Sequence, residues 1–571
     1  MRISPLGDQA LLVTVAAEVT EEVVARVQQA VQAVAAAHID GVQELVPAAA
    51  SFGVMLTGSA ERERVESAVR DELGLLPKNT PALEGQERDV PVCYGGDWGP
   101  DLQRLAQHLG GSLSDAIKAH SSVVYRVNAI GFAPGFAYLG GLPPRLHLPR
   151  RATPRARVAA GSVGIGGAQT GIYPLETPGG WQLLGRTPRH LFEPMEPSPA
   201  WLQRGDRVRF RPVDRAEFNR LAHVMAEARR EALPAPPLAT AGAVVEVLRA
   251  GVQTTVQDLG RSGWQAHGVP AGGAADPIAA HLANLLVGNP TGAALLEWAR
   301  RGPVLHFREE RVVAVTGIEP QGWPSWRPRL VKAGETIDLT HAHNGMRGYL
   351  AIAGGLEVPV VLGSRSTCLA GRFGGYWGRA LRVGDQLAAG PPAVTQVRPG
   401  WFAALAWEPR QPDVTVVRVV RGPHVERFAS WAWRVLTEST FHAQAESDRM
   451  GLRLDGATLL VEDTSQLVSG PIAVGAVQVP PDGRPIVLLA DRQTLGGYPQ
   501  IAYVISADWP RLAQIRPQGR VRFEEVSLGE AEQARHEQRR VLAVLGVGLA
   551  EKMRPVVAAP SPAPAPATPP S

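Results

Sequence analysis

Glycine and proline break residues 122–212 into short apolar runs, and this pattern restricts the fold more than any other feature of the chain. The breaks recur about every eight to twelve residues, which is the spacing of strands in a sandwich or a barrel. Glycine at such positions also lets backbone N–H groups come close to a ligand. The loop motifs are His120-Ser121-Ser122, Gly131-Phe132-Ala133-Pro134-Gly135-Phe136, Gly161-Ser162-Val163-Gly164-Ile165-Gly166-Gly167 and Thr177-Pro178-Gly179-Gly180-Trp181.

Cationic and polar side chains lie between these loops, and the mixture suits a small polar ligand that carries negative charge. Arg150 and Arg151 are adjacent, and they form either an anion-binding pair or a solvated pair. The glycine-rich run forms either a phosphate cradle or a tight barrel hairpin. Its candidate residues are Gly161, Ser162, Gly164, Gly166 and Gly167. The other candidates for substrate contact in this region are Gln169, Thr170 and Tyr173.

Histidine and cysteine give little indication of a metal site. The chain has 14 histidines and 2 cysteines, and the pair His341 and His343 lacks a third ligand. We therefore predict no metal centre. Cys93 and Cys368 are far apart and are interpreted as small buried apolar residues. His120 is either a core residue with backbone hydrogen bonds or a general acid or base.

The later half of the chain repeats the motifs of the earlier half. Thr494-Leu495-Gly496-Gly497-Tyr498 resembles the turn at 177–181, and a glycine-bounded strand with a glutamine, Gln169 or Gln478, precedes each turn. This shared order predicts two related barrels, one in each half; chance similarity of glycine turns is the alternative. The basic strands that follow the two turns lie at 205–210 and 519–523.

Charged residues lie beside the tight turns of the later half, where barrels often have site-lining groups. Asp258 stands three residues before Arg261, an arrangement that fits a structural ion pair as well as a site. The same acid–arginine–glycine order recurs at Arg449. Asp491 leads directly into the second glycine turn, and Gln478 is the remaining candidate for substrate contact.

The composition is that of an ordinary globular protein. Of the 571 residues, 45% are hydrophobic, and 58 basic residues nearly balance 54 acidic ones. Because no block of like charge occurs, nucleic-acid binding is not predicted. No secretory signal is visible, and the apolar stretch 541–550 is shorter than the roughly 20 residues that span a bilayer. We expect a cytoplasmic protein without membrane contact.

The order of these patterns predicts a β-rich α+β fold, with tandem barrels and a small N-terminal α/β subdomain. The expected helices lie at 61–76, 214–232, 276–288 and 528–552. The expected divisions are a subdomain at 1–85, a barrel at 86–225, a linker at 226–243 around Pro234-Ala235-Pro236-Pro237, a second β-rich domain at 244–535, and a helix with a disordered tail at 536–571.

On these motifs the chain resembles two families. Residues 1–225 resemble allophanate hydrolase subunit 1, also known as the B subunit of 5-oxoprolinase. Residues 244–535 resemble allophanate hydrolase subunit 2, also known as the C subunit of 5-oxoprolinase. The resemblance implies cyclophilin-like barrels, a double-barrel domain over 244–535, and the fusion of two subunits usually made separately. The motifs that carry it include Gly7-Asp8-Gln9-Ala10-Leu11, His120-Ser121-Ser122, Gly131–Leu139, Pro149-Arg150-Arg151, Ala160–Gly166, Thr255-Val256-Gln257-Asp258, Gly363-Ser364-Arg365-Ser366-Thr367, Asp448-Arg449-Met450-Gly451 and Gly496-Gly497-Tyr498-Pro499.

The resemblance implies three functions, and the main expectation is ATP-dependent hydrolysis of 5-oxoproline together with a separate third protein, the A subunit of 5-oxoprolinase. The alternatives are biotin-dependent carboxyl transfer to urea or a related amide, and non-enzymatic inhibition of a sensor histidine kinase. Because the chain carries no Ala-Met-Lys-Met biotin motif, the first function is favoured. The implied cofactor is ATP with Mg; biotin belongs only to the alternative. Formation of a homo-oligomer stays open.

Amide resonance makes the lactam carbonyl of 5-oxoproline a poor electrophile. We expect ATP to phosphorylate the lactam oxygen, after which water opens the ring. Arg150 or Arg151 would hold the substrate carboxylate, and the run 161–167 would cradle phosphates. The other expected roles are charge compensation by Arg261 and Arg449, and acid or base catalysis by His120 and Asp258.

The chain departs from the family pattern at three places. Cys368 stands where the family usually has an aspartate, so this chain lacks a carboxylate at that position. Ala137 replaces a common proline. The segment 46–52 lacks the usual glycine and tyrosine.

Overall fold

The structure is a computed structural model that describes residues 1–77, 79, 84–232, 242–342, 344–397, 401–403, 413–465 and 467–553. Three features named above lie outside the described residues: His343, the linker sequence Pro234–Pro237, and the tail 558–571. Where the structure describes the chain, no helix is both long enough and apolar enough to cross a membrane.

The N-terminal subdomain is an antiparallel sheet with helices packed on one face. The strand order is β1-β2-β4-β3. The Thr20 hydroxyl accepts a hydrogen bond from the backbone N–H of Val23 and so caps the first helix. Valines along one face of that helix then pack on the sheet, as the periodicity predicts. The elements are β1 (Arg2–Pro5), β2 (Ala10–Thr14), α1 (Glu21–Ala36), β3 (Val42–Pro47), β4 (Ser51–Leu56) and α2 (Arg62–Gly74).

A closed barrel, barrel 1, follows. Its elements are β5 (Glu87–Tyr94), α3 (Leu102–Leu109), α4 (Leu113–Ser121), β6 (Val124–Ile130), β7 (Ala137–Gly140), β8 (Arg155–Val158), β9 (Ser162–Gly166), β10 (Gln169–Ile172), β11 (Thr177–Gly179), β12 (Gln182–Arg186), β13 (Arg207–Pro212) and α5 (Arg215–Ala232). The ring order is β10-β7-β6-β13-β5-β12-β9, and β8 pairs with β11 outside the ring. The helix α3 ends at Gly110, which has φ +66°, and of the two serines that could cap α4, Ser112 and Ser114, the structure uses Ser112.

The next segment forms two open sheets rather than a barrel. The orders are β20-β17-β14-β23-β22 and β15-β16-β21-β18-β19, and the sheets share a core around the fully buried Trp298. Since the resemblance implied a double barrel over 244–535, this pair of sheets corrects that expectation. The elements are β14 (Ala243–Arg249), β15 (Thr254–Gln257), α6 (Pro277–Leu286), β16 (Leu295–Ala299), β17 (Val304–Phe307), β18 (Arg311–Thr316), β19 (Pro328–Val331), β20 (Thr336–Asp338), β21 (Arg347–Ile352), β22 (Leu356–Glu357) and β23 (Gln386–Ala389).

Barrel 2 lies at 414–525, and its ring order is β24-β31-β28-β29-β26-β25-β32. Its elements and the final helix are β24 (Val414–Arg421), α7 (Ala432–Glu438), β25 (Thr440–Ala443), β26 (Gly451–Asp455), β27 (Gly470–Pro471), β28 (Ala476–Gln478), β29 (Ile486–Leu488), β30 (Leu495–Gly496), β31 (Gln500–Val504), α8 (Trp509–Ala513), β32 (Arg520–Glu525) and α9 (Leu528–Lys552). Single 3-10 turns lie at Gly96–Trp98, Pro144–Leu146, Gln265–His267, Val425–Arg427 and Ser506–Asp508.

The two barrels have the same topology, which confirms the prediction of related barrels in the two halves. Each ring closes through a parallel pair between its first and last strands, β5 with β13 and β24 with β32. In each, a short ribbon pairs the predicted glycine turn with an earlier strand, β11 with β8 and β30 with β27. The basic sequences at 205–210 and 519–523 overlap the equivalent strands β13 and β32.

The equivalence corrects the pairing of glutamines expected from the sequence. Gln169 lies on β10, whereas Gln478 lies on β28, which takes the ring position of β9. The residues at equivalent positions are Gln182 and Gln500, which begin β12 and β31 directly after the two glycine turns. The sequence pattern pairs Gln169 with Gln478, because each precedes a glycine turn. That pairing is wrong because the connections between strands differ in length in the two barrels.

His120 lies inside barrel 1, where it is fully buried. The Thr170 hydroxyl donates to the Gly164 carbonyl oxygen at 2.9 Å, so it accepts from His120 Nε2 at 3.0 Å. His120 Nδ1 then accepts from the Tyr94 hydroxyl at 2.8 Å. Burial lowers the pKa of His120 to about 3. The ring is therefore neutral and engaged at both nitrogens, which suits a core position better than acid or base catalysis.

Acid should destabilise barrel 1 through His120. Because its pKa lies below the value of 6.5 that holds in an unfolded chain, the unfolded chain binds more protons between pH 6.5 and about 3, and stability falls as pH drops through that window. We expect His120→Gln, which keeps a donor and an acceptor, to flatten this dependence by up to about 1.4 kcal/mol per pH unit. The midpoints of urea unfolding, measured at a series of pH values, report this pH dependence of stability. His442→Gln, at an exposed histidine, is the control and should leave it unchanged. If His120→Gln also leaves the pH dependence unchanged, His120 is not a buried neutral histidine.

The final helix α9 fastens the N-terminal subdomain to barrel 2. Arg535 is 2% exposed, and its guanidinium donates to the carbonyl oxygens of Asp8 at 3.2 Å and Ala60 at 2.9 Å. Nearby, Arg62 of α2 pairs with Glu532 of α9 at 2.8 Å. Since these contacts join residues from opposite ends of the chain, α9 holds the two ends together.

Removal of the Arg535 guanidinium should weaken this attachment. Arg535→Ala leaves two buried carbonyl oxygens without their charged donor, and we expect a loss of about 3 kcal/mol in the free energy of unfolding. Arg539 on the same helix also donates to a carbonyl, that of Gly58, but its side chain is exposed. Arg539→Ala is the matched control and should change stability by about 0.5 kcal/mol or less. Equal effects of the two substitutions in chemical denaturation would contradict the buried role of Arg535.

Candidate functional site

The two barrels contact each other directly beside their glycine turns. A Cβ atom at Gly131 would lie 2.4 Å from the Leu495 side chain, so glycine is required for this approach. Ser469, just before β27 of barrel 2, lies near the Tyr138 phenol of barrel 1 and opposes part of the rise in its pKa. Buried apolar residues of both barrels form one core cluster here. We call this region the barrel junction and define it by Gly131, Tyr138, Ser469 and Leu495.

Aromatic rings from barrel 1 form one wall of the junction. The ring centroid of Phe136 lies 4.9 Å from that of Tyr138, 5.3 Å from that of Tyr173 and 5.5 Å from that of Trp181. All three ring pairs are edge-to-face. Burial raises the pKa of Tyr138 and of Tyr173 to about 12, so both phenols keep their protons at neutral pH. The backbone of Trp181 opposes part of the rise in the pKa of Tyr173.

Arg150 adds a positive charge beside these phenols. Its charge opposes the rise in the pKa of both Tyr138 and Tyr173, so Arg150 lies within electrostatic range of the two hydroxyls. The Arg150 side chain is exposed. Where the structure describes the chain, no carboxylate forms an ion pair with it within 4.0 Å. Arg150 can therefore receive an anion without giving up an existing partner.

Arg151, the other member of the predicted pair, contributes to the framework of barrel 1. Its guanidinium lies 3.5 Å from Asp101, and its backbone N–H donates to the Gly180 carbonyl at 2.7 Å. Asp101 also accepts from Arg155 at 2.9 Å and from the backbone N–H of Leu183 at 2.7 Å. Arg150 and Arg151 are adjacent and indistinguishable in the sequence, but in the structure only Arg151 forms an ion pair with Asp101.

The glycine-rich run 161–167 lies in the barrel wall and not in a ligand loop. Residues 162–166 are β9, which pairs with β10 on one side and β12 on the other. A Cβ at Gly166 would lie 2.6 Å from the Trp181 ring, and one at Gly164 would lie 2.9 Å from the Gln182 carbonyl oxygen. The glycines therefore allow close packing within the barrel wall. The N–H groups of the strand are already paired, so they cannot form the expected phosphate cradle. This corrects the expectation for Gly161, Ser162, Gly164, Gly166 and Gly167.

Thr170 and Gln169 also take positions in the barrel wall. Thr170 is fully buried and bonds to His120 and Gly164, as described above. Gln169 is half-buried at the start of β10. Neither residue belongs to the barrel junction.

Arg449 and Asp491 form a buried charge cluster in barrel 2. Arg449 donates from Nε and Nη2 to the two Asp491 oxygens, at 2.8 and 3.0 Å. Its Nη1 donates to Glu297 on β16, and Arg449 is only 4% exposed. Both carboxylates compensate its charge, and Nη2 also donates to the Gly273 carbonyl, so this fork fastens barrel 2 to the open sheets and makes Arg449 poorly suited to receive a substrate.

Asp258 organises the loop 363–367. Its carboxylate accepts hydrogen bonds from the Ser364 hydroxyl at 2.7 Å, the Arg365 backbone at 2.6 Å and the Ser366 hydroxyl at 2.5 Å. The backbone N–H of Gly260 donates to it as well, at 2.7 Å. Both oxygens of this carboxylate are therefore engaged in holding the loop, which leaves it poorly placed to take a proton from a substrate. The expected pair with Arg261 is absent among the side-chain contacts of the described residues.

Arg261 lies buried in the same region, 3% exposed. One of its N–H groups donates to the Ser366 carbonyl, while its Nε and Nη1 find no acceptor among the described residues. Its guanidinium carbon lies 5.0 Å from the Phe373 ring centroid. Burial is the main reason that the pKa of Arg261 falls below its usual value.

Cys368 and Gln478 are both buried. Cys368 packs with Phe192 and Phe373, and burial raises the pKa of its thiol to about 11. This confirms the interpretation of Cys368 as a small apolar residue, whereas Cys93 is only half-buried. The side-chain nitrogen of Gln478 would lie 3.0 Å from a Cβ at Gly496, so it lies directly behind the second glycine turn.

The predicted residues therefore fall into three separate places. Arg150 and Tyr173 meet at the barrel junction, Arg261, Arg449 and Asp491 meet around the open sheets, and His120 with Thr170 lies inside barrel 1. Tyr138 and Ser469 were missed. The signal for Tyr138 was its place in the motif 131–139, but nothing in the sequence places Ser469 next to it.

Comparison with known families matches most of the chain. The carboxyltransferase domain, subdomains C and D, matches residues 1–202, and the carboxyltransferase domain, subdomains A and B, matches residues 267–525. The chain is 38% identical over 304 residues to the C subunit of 5-oxoprolinase from Escherichia coli K12, covering 52% of this chain and 96% of that protein. It is 53% identical over 152 residues to the B subunit of 5-oxoprolinase from Escherichia coli O157:H7, covering 26% of this chain and 70% of that protein.

A more distant similarity reaches a much larger protein. The chain is 30% identical over 330 residues to the urea amidolyase of Lachancea kluyveri, covering 51% of this chain but only 17% of that protein.

The fold agrees with these matches. The crystal structure of TTHA0988 superposes with a TM-score of 0.76 at 34% identity, covering 90% of this chain and 99% of that one. The expected matches to the B and the C subunits of 5-oxoprolinase are both confirmed within one chain. The protein therefore belongs to the carboxyltransferase-domain family, as a fused homologue of the B and C subunits of 5-oxoprolinase that is related to urea amidolyase.

Proposed function

We propose that the chain is a component of an ATP-dependent 5-oxoprolinase and binds 5-oxoproline at the barrel junction, together with a separate third protein. Two relatives named as 5-oxoprolinase subunits support this assignment. The observation that carries the choice of site is the exposed Arg150 guanidinium beside two protonated phenols, at the contact between the two fused units.

The chemistry of the junction matches the two ends of 5-oxoproline. Arg150 pairs with the substrate carboxylate. The phenol of Tyr173 keeps its proton at neutral pH and donates it in a hydrogen bond to the lactam oxygen, where negative charge grows as the ring opens. Tyr138 lies beside it, near Ser469. The aromatic wall packs against the ring and keeps water away from this end of the substrate.

The expected ATP site does not fit this chain at residues 161–167. The backbone of that run is paired on both sides within barrel 1, so it cannot cradle phosphates. We therefore derive no step through ATP from these residues, and the contribution that we propose for the chain is to bind and orient 5-oxoproline. His120 and Asp258 have no place in this proposal because their hydrogen-bonding atoms are already engaged.

Glutamate formation from 5-oxoproline, ATP and Mg by the purified chain, mixed with a candidate A subunit of 5-oxoprolinase, tests the proposal. We expect Arg150→Met to lower kcat/KM by about tenfold to a hundredfold, because one charge-assisted contact contributes about 1.5–3 kcal/mol. Arg157→Met is the matched control, since Arg157 is 76% exposed and pairs with Glu176, and it should retain activity. If glutamate forms equally well without this chain, the proposed function is wrong.

The two tyrosines allow a sharper test of the site. If Tyr173 donates to the oxygen that becomes negative, Tyr173→Phe should reduce kcat by about tenfold or more with a smaller change in KM. Tyr376→Phe, on a half-buried tyrosine of the open-sheet region, is the control and should change neither constant. A rise in KM with kcat unchanged would show that Tyr173 binds the ground state and the transition state equally, which contradicts a contact that strengthens as the ring opens.

Biotin-dependent carboxyl transfer to urea or a related amide is the second candidate function. The carboxyltransferase domains that match the chain and the similarity to urea amidolyase favour it. The same arginine and phenols suit a planar amide whose oxygen gains negative charge. Transfer of a carboxyl group from carboxybiotin to urea, with no conversion of 5-oxoproline, would decide for this alternative.

A further inference from the structure

A cavity of about 320 Å³ lies where the N-terminal subdomain, the segment 259–277 and barrel 2 meet. This volume is at the lower end of the range for small-molecule sites. Its walls are mostly apolar, and the apolar lining includes Leu6, Met55, Leu56, Leu259, Leu489 and Trp509. It shares no lining residue with the barrel junction as defined above.

Arg492 lines this cavity and is an unusual cation. It is 3% exposed, and burial lowers its pKa to about 10. Its Nε donates to the Ile472 carbonyl at 3.2 Å and its Nη2 to the Gln265 side chain at 2.9 Å. Its Nη1 finds no acceptor, and no carboxylate pairs with it, among the described residues. A buried guanidinium without an anion is costly, since its lost hydration is not replaced.

The other charged residue that lines the cavity is already satisfied. Asp8 accepts from the Ser506 backbone at 2.9 Å and from the Ser506 hydroxyl at 2.5 Å. The nearby Arg535 supplies a compensating positive charge. The nearest acid behind Arg492 is Glu44, which accepts from the Gln265 side chain at 2.9 Å and does not touch the guanidinium. The charge of Glu44 partly offsets that of Arg492 without touching it, so the cavity wall holds a buried guanidinium that has one nitrogen unpaired among the described residues.

We propose that this cavity is a second ligand site that binds a small organic monocarboxylate. The carboxylate pairs with the Arg492 guanidinium, and the apolar body of the ligand lies against the leucines, Met55 and Trp509. The inference is independent of the proposed function, because it uses neither Arg150 nor the phenols of the barrel junction.

Calorimetric titration of the full chain with isocaproate tests the proposal, since this probe joins one carboxylate to a branched apolar body. We expect saturable binding with a Kd below about 1 mM. Isocaproamide has the same shape without the charge and should bind at least about tenfold more weakly, as should inorganic sulfate, which lacks the apolar body. Equal binding of acid and amide, or no saturable binding of isocaproate, overturns the proposal.

Variants locate the binding. Arg492→Met should weaken isocaproate by at least about tenfold, and Arg492→Lys by less. Because removal of Arg492 also affects packing, Ala490→Trp serves as a second variant, which fills the cavity and leaves the guanidinium in place. Arg484→Met, at an exposed arginine of barrel 2 paired with Asp455, is the matched control. Binding that survives both Arg492→Met and Ala490→Trp in a folded protein lies elsewhere and refutes this site.

Discussion

The close contact of the two barrels is the constraint on which the rest of the molecule depends. It is possible only because Gly131 has no side chain where Leu495 of the other barrel packs. This contact brings the aromatic wall of barrel 1 to Ser469 of barrel 2 and leaves Arg150 at its rim. A larger residue at this position would push the barrels apart and open the site to water.

Buried charge explains why so few of the predicted catalytic residues are free to act. A carboxylate or guanidinium that loses its hydration must find partners within the protein. Asp258 finds them in the loop 363–367, and Arg449 finds them in Asp491 and Glu297. These residues hold loops and sheets in place, so their importance to the family pattern is consistent with a structural role. Arg150, which is exposed and forms no ion pair among the described residues, is better suited to a ligand, whereas the unpaired nitrogens of Arg261 are buried.

Local patterns predicted the secondary structure well where one physical rule dominates. The helix α9 spans 528–552 as expected, because Ser527 and Glu530 form a capping box at its start. The repeated glycine turns predicted related barrels because both turns must allow the same tight ribbon beside the ring. The glycine run 161–167 was harder to interpret, because a ligand loop and a crowded barrel wall both require residues without side chains.

The sequence by itself determined the strand-rich texture, the duplication, the helix boundaries and the family, since each depends on local spacing or on motifs that are contiguous in the chain. Only the tertiary structure decided which of Arg150 and Arg151 is free, because Asp101, far away in sequence, binds the second. It also decided that His120 is a buried core residue with both ring nitrogens engaged, and that Arg492 lines a cavity with one nitrogen unpaired among the described residues. Partner choice and burial arise from contacts between distant segments, and no pattern of neighbouring residues records them.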